Sequence, residues 1–371
     1  MGRDLFTTYI HIGHGKTGTT AIQSALALSR EELRASGIIY PIKKEIATKA
    51  ELLQITSGNW SALPNQSIGS FLQDAYNKYY DKDTSSLVFS SENLFWKASE
   101  LTKLSDFELA KINPHVILAV RDIEEMLSSE YLQMVKRHGE CRSFSEYLKA
   151  RNYKSGHHRL SDSIIQQFKK RPINLSILNY SKCRHFITRL IFNIIGANNI
   201  KIPGDLSKKV VNRSLSSFEL KALIALNSLY GPTLGCKISD ELVEQLPEVT
   251  GNSCEYTDYD KKMIYDVNQA SLVGINQALE ESEHLQVSPS PPTSQYKFSE
   301  PEKTNDFSEL SGDIIKKCLS EHLSSNYSSE ETSFISSSTI KKLEKISERK
   351  KLDPKIRLDI LKIIKFFKCS P

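Results

Sequence analysis

Between positions 11 and 20 the chain runs His11-Ile12-Gly13-His14-Gly15-Lys16-Thr17-Gly18-Thr19-Thr20. Its glycines let the backbone turn sharply and come close to a ligand. Free amides at a helix start, at the positive end of the dipole, favour an anion and phosphate above all. Lys16 adds a mobile positive charge, and the hydroxyls of Thr17, Thr19 and Thr20 add donors. The chemistry of such a loop is capture of a phosphate-bearing ligand. The alternative is an ordinary glycine-rich turn from strand to helix. The triphosphatase pattern G-x-x-x-x-G-K-[ST] is not met: the glycine it needs five residues before Gly15 is Ile10, and Gly13 is too close. Gly18 and Thr19, following Lys16-Thr17, also lie outside that pattern.

The loop needs a strand before it and a helix after it, and the pattern supplies both. Residues 5–13, LFTTYIHIG, are rich in aromatic and β-branched types and end at glycine, which predicts a strand. Residues 19–37 carry Ile22, Ala25, Leu26 and Leu33 at helical spacing and close on Gly37. Further strands are expected over 86–92 (SLVFSSE), 115–122 (HVILAVRD) and 173–180 (INLSILNY). The near-continuous apolar run in HVILAV fits a strand buried on both faces of a parallel sheet. Helices are expected after Arg121, around Met126, Leu127 and Tyr131, and over 185–196. Strand–helix alternation predicts an α/β fold: P-loop-like, three-layered, with a central parallel sheet, plus a C-terminal helical appendage. Ligands of such sheets bind beyond the carboxyl ends of the strands.

The 371 residues, 39% hydrophobic and 25% charged, suit a globular chain with a sizeable core. No apolar run is long enough to span a membrane and no secretory signal is recognisable, so a cytoplasmic setting is expected. Six cysteines 18 to 64 residues apart form no CxxC or Cys/His cluster, which predicts reduced thiols and no zinc site. The net charge of +5 is uneven: eleven Lys/Arg against four Asp/Glu from 341 onward give a local +7, leaving −2 for the first 340 residues. The basic balance belongs to a short tail, so nucleic-acid binding is not expected of the body. Composition divides the chain into an α/β body over 1–285, a Pro/Ser-rich linker over 286–309 and a basic helical tail over 310–371. Within the tail, 354–368 places Ile356, Ile360, Ile363, Ile364 and Phe367 on one helical face and Lys355, Asp359 and Lys362 on the other. That face could meet an anionic membrane peripherally or dock on the chain's own body.

The run from Lys16 to Thr20, ending a first strand and followed by Ile22-Gln23, resembles the 5′-phosphosulfate loop of sulfotransferases that use 3′-phosphoadenylyl sulfate (PAPS). From YIHIG through RASGIIYP the chain is similar to the bacterial branch of that superfamily, near its carbohydrate sulfotransferases, and the likeness extends over about residues 7 to 280. The resemblance implies a donor site formed by Gly15, Lys16, Thr17, Gly18, Thr19 and Thr20. It implies a second signature in which Arg121, at a strand end, and Ser129, eight residues on, hold the 3′-phosphate, with Ser128 the neighbouring competitor. A guanidinium at a strand end and a hydroxyl in the next helix can converge on one phosphate; a surface ion pair is the other reading of Arg121. It further implies that Glu92, in Ser90-Ser91-Glu92-Asn93, takes the proton of an acceptor hydroxyl, against the plainer role of capping the following helix. Segments 131–148 and 211–227 also resemble the bacterial group, and Asn212 and Ser214 would then lie near the nucleotide.

The implied activity is in-line transfer of a sulfuryl group from PAPS to an acceptor hydroxyl, with a saccharide or glycolipid as the expected acceptor. Lys16 would meet the bridging oxygen as negative charge grows there, and Glu92 would act as base. No metal is expected. His11 and His14 lie in the donor loop rather than across from it, so structural or loop-polarity roles are expected for both. The alternatives are a P-loop nucleotide kinase or NTPase, and a non-catalytic binding module on the same fold.

Overall fold

The computed structural model describes residues 6–13, 17–51, 58–60, 66–202, 213–249, 251, 254–289 and 304–326, with single positions 341, 344 and 364. The chain divides into two compact units, one of residues 1–127, 153–209 and 258–289, the other of residues 128–152, 210–257 and 290–371.

The first unit holds a five-stranded, all-parallel sheet in the order β2-β3-β1-β4-β5, where β1 is Thr7–Gly13, β2 Ile38–Ile39, β3 Ser86–Ser90, β4 Pro114–Val120 and β5 Asn174–Asn179. The expected α/β architecture with its parallel sheet and helical C-terminal region is what the chain adopts. β1 lies at the centre, with His11 opposite Ser90 of β3 and Ile12 opposite Leu118 of β4. Val116 through Val120 are all buried, as their apolar run requires of a strand covered on both faces.

Helices Thr19–Leu28 and Ile187–Ile194 pack on the sheet through Ile22, Leu26, Ile187 and Ile191, which share one core with Val88 and Ile117. Each such buried aliphatic side chain stabilises by about 1.5–3 kcal/mol. Helix Gly156–Phe168 packs along β4 and β5 and against helix Asp258–Asn276.

The strands expected to reach 92, 122 and 180 stop at Ser90, Val120 and Asn179, and Glu92 and Tyr180 open helices instead; two further details depart from the sequence expectation. The helix expected over 19–37 is two, Thr19–Leu28 and Arg30–Ala35, because Ser29 leaves the helical region at φ −91°, ψ 10°. β2 is too short to be read from a pattern. It pairs with Ser86 and Leu87, so among the described residues the carboxyl half of β3 has no strand partner on that side. Asn59 takes the place: its Nδ2 donates to the Val88 carbonyl, its Oδ1 accepts from the Ser90 amide, and its own amide donates to the Ser90 carbonyl. Gly58 precedes it at φ +82°, where a Cβ would lie 1.9 Å from the Ser90 carbonyl oxygen, so no larger residue fits.

The second unit is helical, with Phe144–Ala150, Ser217–Tyr230, Pro232–Gln245 and Thr304–Asn326. At its centre the guanidinium of Arg213 and the carboxylate of Glu219 form a buried two-pronged pair at 2.7 Å, and Ser311 donates to the same carboxylate. The sequence boundaries at 285/286 and 309/310 fall beside residues 290–303, which lie outside the described residues. So does nearly all of the amphipathic segment 354–368; within it Ile364 alone is described, and it is buried. Among the described residues no helix is long and apolar enough to cross a membrane.

Candidate active site

β1 ends at Gly13, and His14, Gly15 and Lys16 lie outside the described residues. Around them the loop is tightly built. A Cβ on Gly13 would lie 2.4 Å from Thr17 Oγ1 and 2.9 Å from Thr19 Cγ2. Thr17 and Thr19 are buried, and Thr20 is half-buried. Gly18 starts the helix in the left-handed region, at φ 76° and ψ 13°. As the N-cap residue it offers no side chain to the first helical amides, and amides at a helix start favour an anion.

Parallel pairing sets the neighbours of this loop. His11 pairs with Ser90, and the Ser91 amide donates to the His11 carbonyl, which brings Ser91-Glu92 alongside the turn. Ser91 caps helix Glu92–Lys97, its hydroxyl accepting from the Asn93 amide, so capping does not occupy the Glu92 carboxylate. Instead Thr19 Oγ1 donates to Glu92 Oε1 at 2.5 Å. Thr19 is buried and Glu92 exposed. A loop hydroxyl and the expected base thus meet, though 73 residues apart in the chain.

His11 is fully buried beneath the loop, with Nδ1 at 2.8 Å from Ser90 Oγ. Burial lowers its pKa to about 4, so the ring is neutral near pH 7. Its Nε2 is buried with no hydrogen-bond partner among the described residues. This fits the structural role expected for His11; His14 is outside the described residues.

Arg121 follows β4 directly. The β4–β5 register places Val120 opposite Asn179, so the residues after them, Arg121 and Tyr180, emerge side by side. The Arg121 guanidinium carbon lies 5.4 Å from the centroid of the Tyr180 ring. The same ring abuts the donor loop: its Cε2 lies 2.8 Å from where a Gly18 Cβ would be. Tyr180 therefore joins the loop to Arg121, and sequence reasoning missed it. A residue immediately beyond a strand that neighbours an arginine-terminated strand was the available signal. His158 was missed as well. Its Nε2 donates to the Arg121 carbonyl at 2.8 Å, which makes Nδ1 the acceptor from the Ser155 hydroxyl at 2.7 Å. Burial lowers its pKa to about 4, which keeps this tautomer neutral and the Arg121 backbone fixed.

The remaining expected residues are placed less directly. Ser128 and Ser129 lie in helix Ile123–His138 and belong to the second compact unit, while Arg121 belongs to the first. The Ser128 hydroxyl is buried and accepts from the Cys254 amide at 2.9 Å; Ser129 is half-buried. Asn212 lies outside the described residues, and Ser214 is exposed in the second unit.

The strand ends thus offer uncapped helical amides, a carboxylate held by a loop threonine, and a guanidinium over an aromatic ring. The helix-start amides beyond Gly18 and the Arg121 guanidinium are groups that could hold anionic oxygens. No protein-family model matches the chain, and no curated protein matches it.

Proposed function

We propose that the chain is a PAPS-dependent sulfotransferase. The observation that carries this reading is the Thr19–Glu92 hydrogen bond, which puts a carboxylate beside the anion-binding loop. PAPS supplies a sulfuryl group on an anhydride oxygen. The acceptor hydroxyl oxygen bonds to sulfur, the bond from sulfur to the bridging oxygen breaks, and adenosine 3′,5′-bisphosphate leaves. Glu92 takes the hydroxyl proton. Amides of residues 17 to 20 hold the 5′-phosphate, Lys16 neutralises the leaving oxygen, and Arg121 holds the 3′-phosphate. Positioning and charge neutralisation carry such a reaction, as in phosphoryl transfer, and no metal is required in this reading.

A saccharide or glycolipid acceptor belongs to the same proposal. Trp96, 59% exposed, stands one helical turn beyond Glu92 and is backed by the rings of Phe95 and His157. An indole is a flat, amphipathic surface suited to the C–H face of a sugar ring. A cytoplasmic setting goes with this reading, and the described cysteines are all free thiols.

Titration calorimetry tests the donor half. Adenosine 3′,5′-bisphosphate is expected to bind without magnesium and more tightly than ATP with magnesium. The reverse order favours a P-loop kinase or NTPase. Transfer of labelled sulfate from PAPS to extracts of the source cell then identifies the acceptor, and nucleotide binding without any transfer would mark a binding module.

A further inference from the structure

Beyond β5 the chain makes one short helix, Tyr180–Cys183, and then reaches Arg184. Arg184 turns back toward the end of β4. Its Nη2 lies 2.7 Å from Glu125 Oε1, while Arg121 Nε lies 2.9 Å from Glu125 Oε2. One carboxylate therefore holds two guanidiniums, one oxygen to each. Ser181 fixes that carboxylate, its hydroxyl donating to Glu125 Oε2 at 3.1 Å and accepting from the Asp122 amide at 3.0 Å. Burial works against the Glu125 charge, but Arg121 and Arg184 outweigh it and hold the carboxyl below its usual range.

Taken alone, this is an ion-pair network. Two features make it more than that. It is incompletely buried, with side-chain exposures of 16% for Arg121, 33% for Glu125 and 39% for Arg184, so a ligand can reach it. And it is tied to the donor loop through Tyr180, which touches both Arg121 and Gly18. Paired planar guanidiniums match the oxygens of a phosphate better than a single point charge does.

We infer that Arg184 is a second guanidinium for the distal phosphate of the nucleotide, held beside Arg121 by the carboxylate of Glu125. This rests on the donor reading above and adds to it a second residue, beside Arg121, that distinguishes a bisphosphate from a monophosphate. Arg184 contributes only when a 3′-phosphate is present, so its loss falls on one nucleotide and spares the other.

The test is calorimetry of adenosine 3′,5′-bisphosphate and adenosine 5′-phosphate on the full chain. The unaltered protein is expected to bind the bisphosphate at least tenfold more tightly. Arg184→Ala is expected to lose tenfold or more for the bisphosphate and less than twofold for the monophosphate. Arg184→Lys, which keeps the charge without the fork, falls between. Should Arg184→Ala fail to fold, Arg184→Gln carries the same expectation. Equal weakening toward both nucleotides, or none toward either, overturns the inference and leaves the donor reading standing. An unaltered protein that does not discriminate between the nucleotides overturns the donor reading, and the role of Arg184 falls with it.

Discussion

Replacing Glu92 by Gln separates the chemistry of the carboxylate from its position. Thr19 Oγ1 donates to Glu92 Oε1, and a glutamine offers an amide oxygen in the same place. The contact therefore survives the change, while the capacity to take a proton does not. Removing a general base of this kind lowers turnover by about 10²–10⁴-fold, or roughly 3–5 kcal/mol of barrier. Thr19→Val removes the hydroxyl and nearly keeps the volume. A hydrogen bond to a buried charge is worth about 1.5–3 kcal/mol. Glu92 is exposed, so solvent screening reduces that to about 1 kcal/mol or less. Thr19→Val should then lower turnover less than tenfold. Labelled-sulfate transfer measures turnover, and calorimetry with adenosine 3′,5′-bisphosphate confirms an affinity within twofold of the unaltered protein. If Glu92→Gln keeps more than a tenth of the turnover, Glu92 is not the base and the reasoning from the Thr19 contact fails.

Other outcomes follow from the same geometry. Gly18→Ala forces a Cβ into the left-handed region and against Tyr180, costing about 1–2 kcal/mol of stability and weakening bisphosphate binding; thermal unfolding and calorimetry read both, and an unchanged affinity would argue against the role of Tyr180. His11 and His158 are buried with pKa values lowered to about 4 from 6.5, so the unfolded chain binds more protons below pH 6.5. Stability should therefore fall as pH drops from 6.5 toward 4, by at most on the order of 3 kcal/mol for each histidine. Urea titrations at stepped pH check this, and a His158→Asn protein should show a shallower slope. Arg213→Ala strands the buried Glu219 carboxylate and should cost about 3–5 kcal/mol, whereas replacing both partners by apolar residues should cost less. A denaturation midpoint unmoved by Arg213→Ala would contradict that account.

The sequence disclosed the sheet wherever burial wrote itself into residue type. Val116 to Val120 are apolar because both faces are covered; β3 and β5 were found too, but stop at Ser90 and Asn179, short of the expected 92 and 180, because Glu92 and Tyr180 each open a helix. β2 was invisible because two residues carry no period, and the break at Ser29 was invisible because a single dihedral leaves the apolar spacing intact. Within the candidate site, Thr19, Glu92 and Arg121 were legible because they follow the carboxyl ends of strands, where a parallel sheet gathers its ligand-binding groups. Tyr180, His158 and Arg184 were not. Their places depend on the register between β4 and β5 and on hydrogen bonds to backbone, neither of which leaves a mark on local composition.

The stand-in at Asn59 bears on how the molecule keeps to itself. A row of unsatisfied amides and carbonyls along an outer strand invites another polypeptide to lie down beside it and extend the sheet. One carboxamide and one peptide unit fill that berth here. Exchanging Asn59 for a residue without a carboxamide would leave the berth open to a neighbouring molecule, so the first symptom would be self-association on storage.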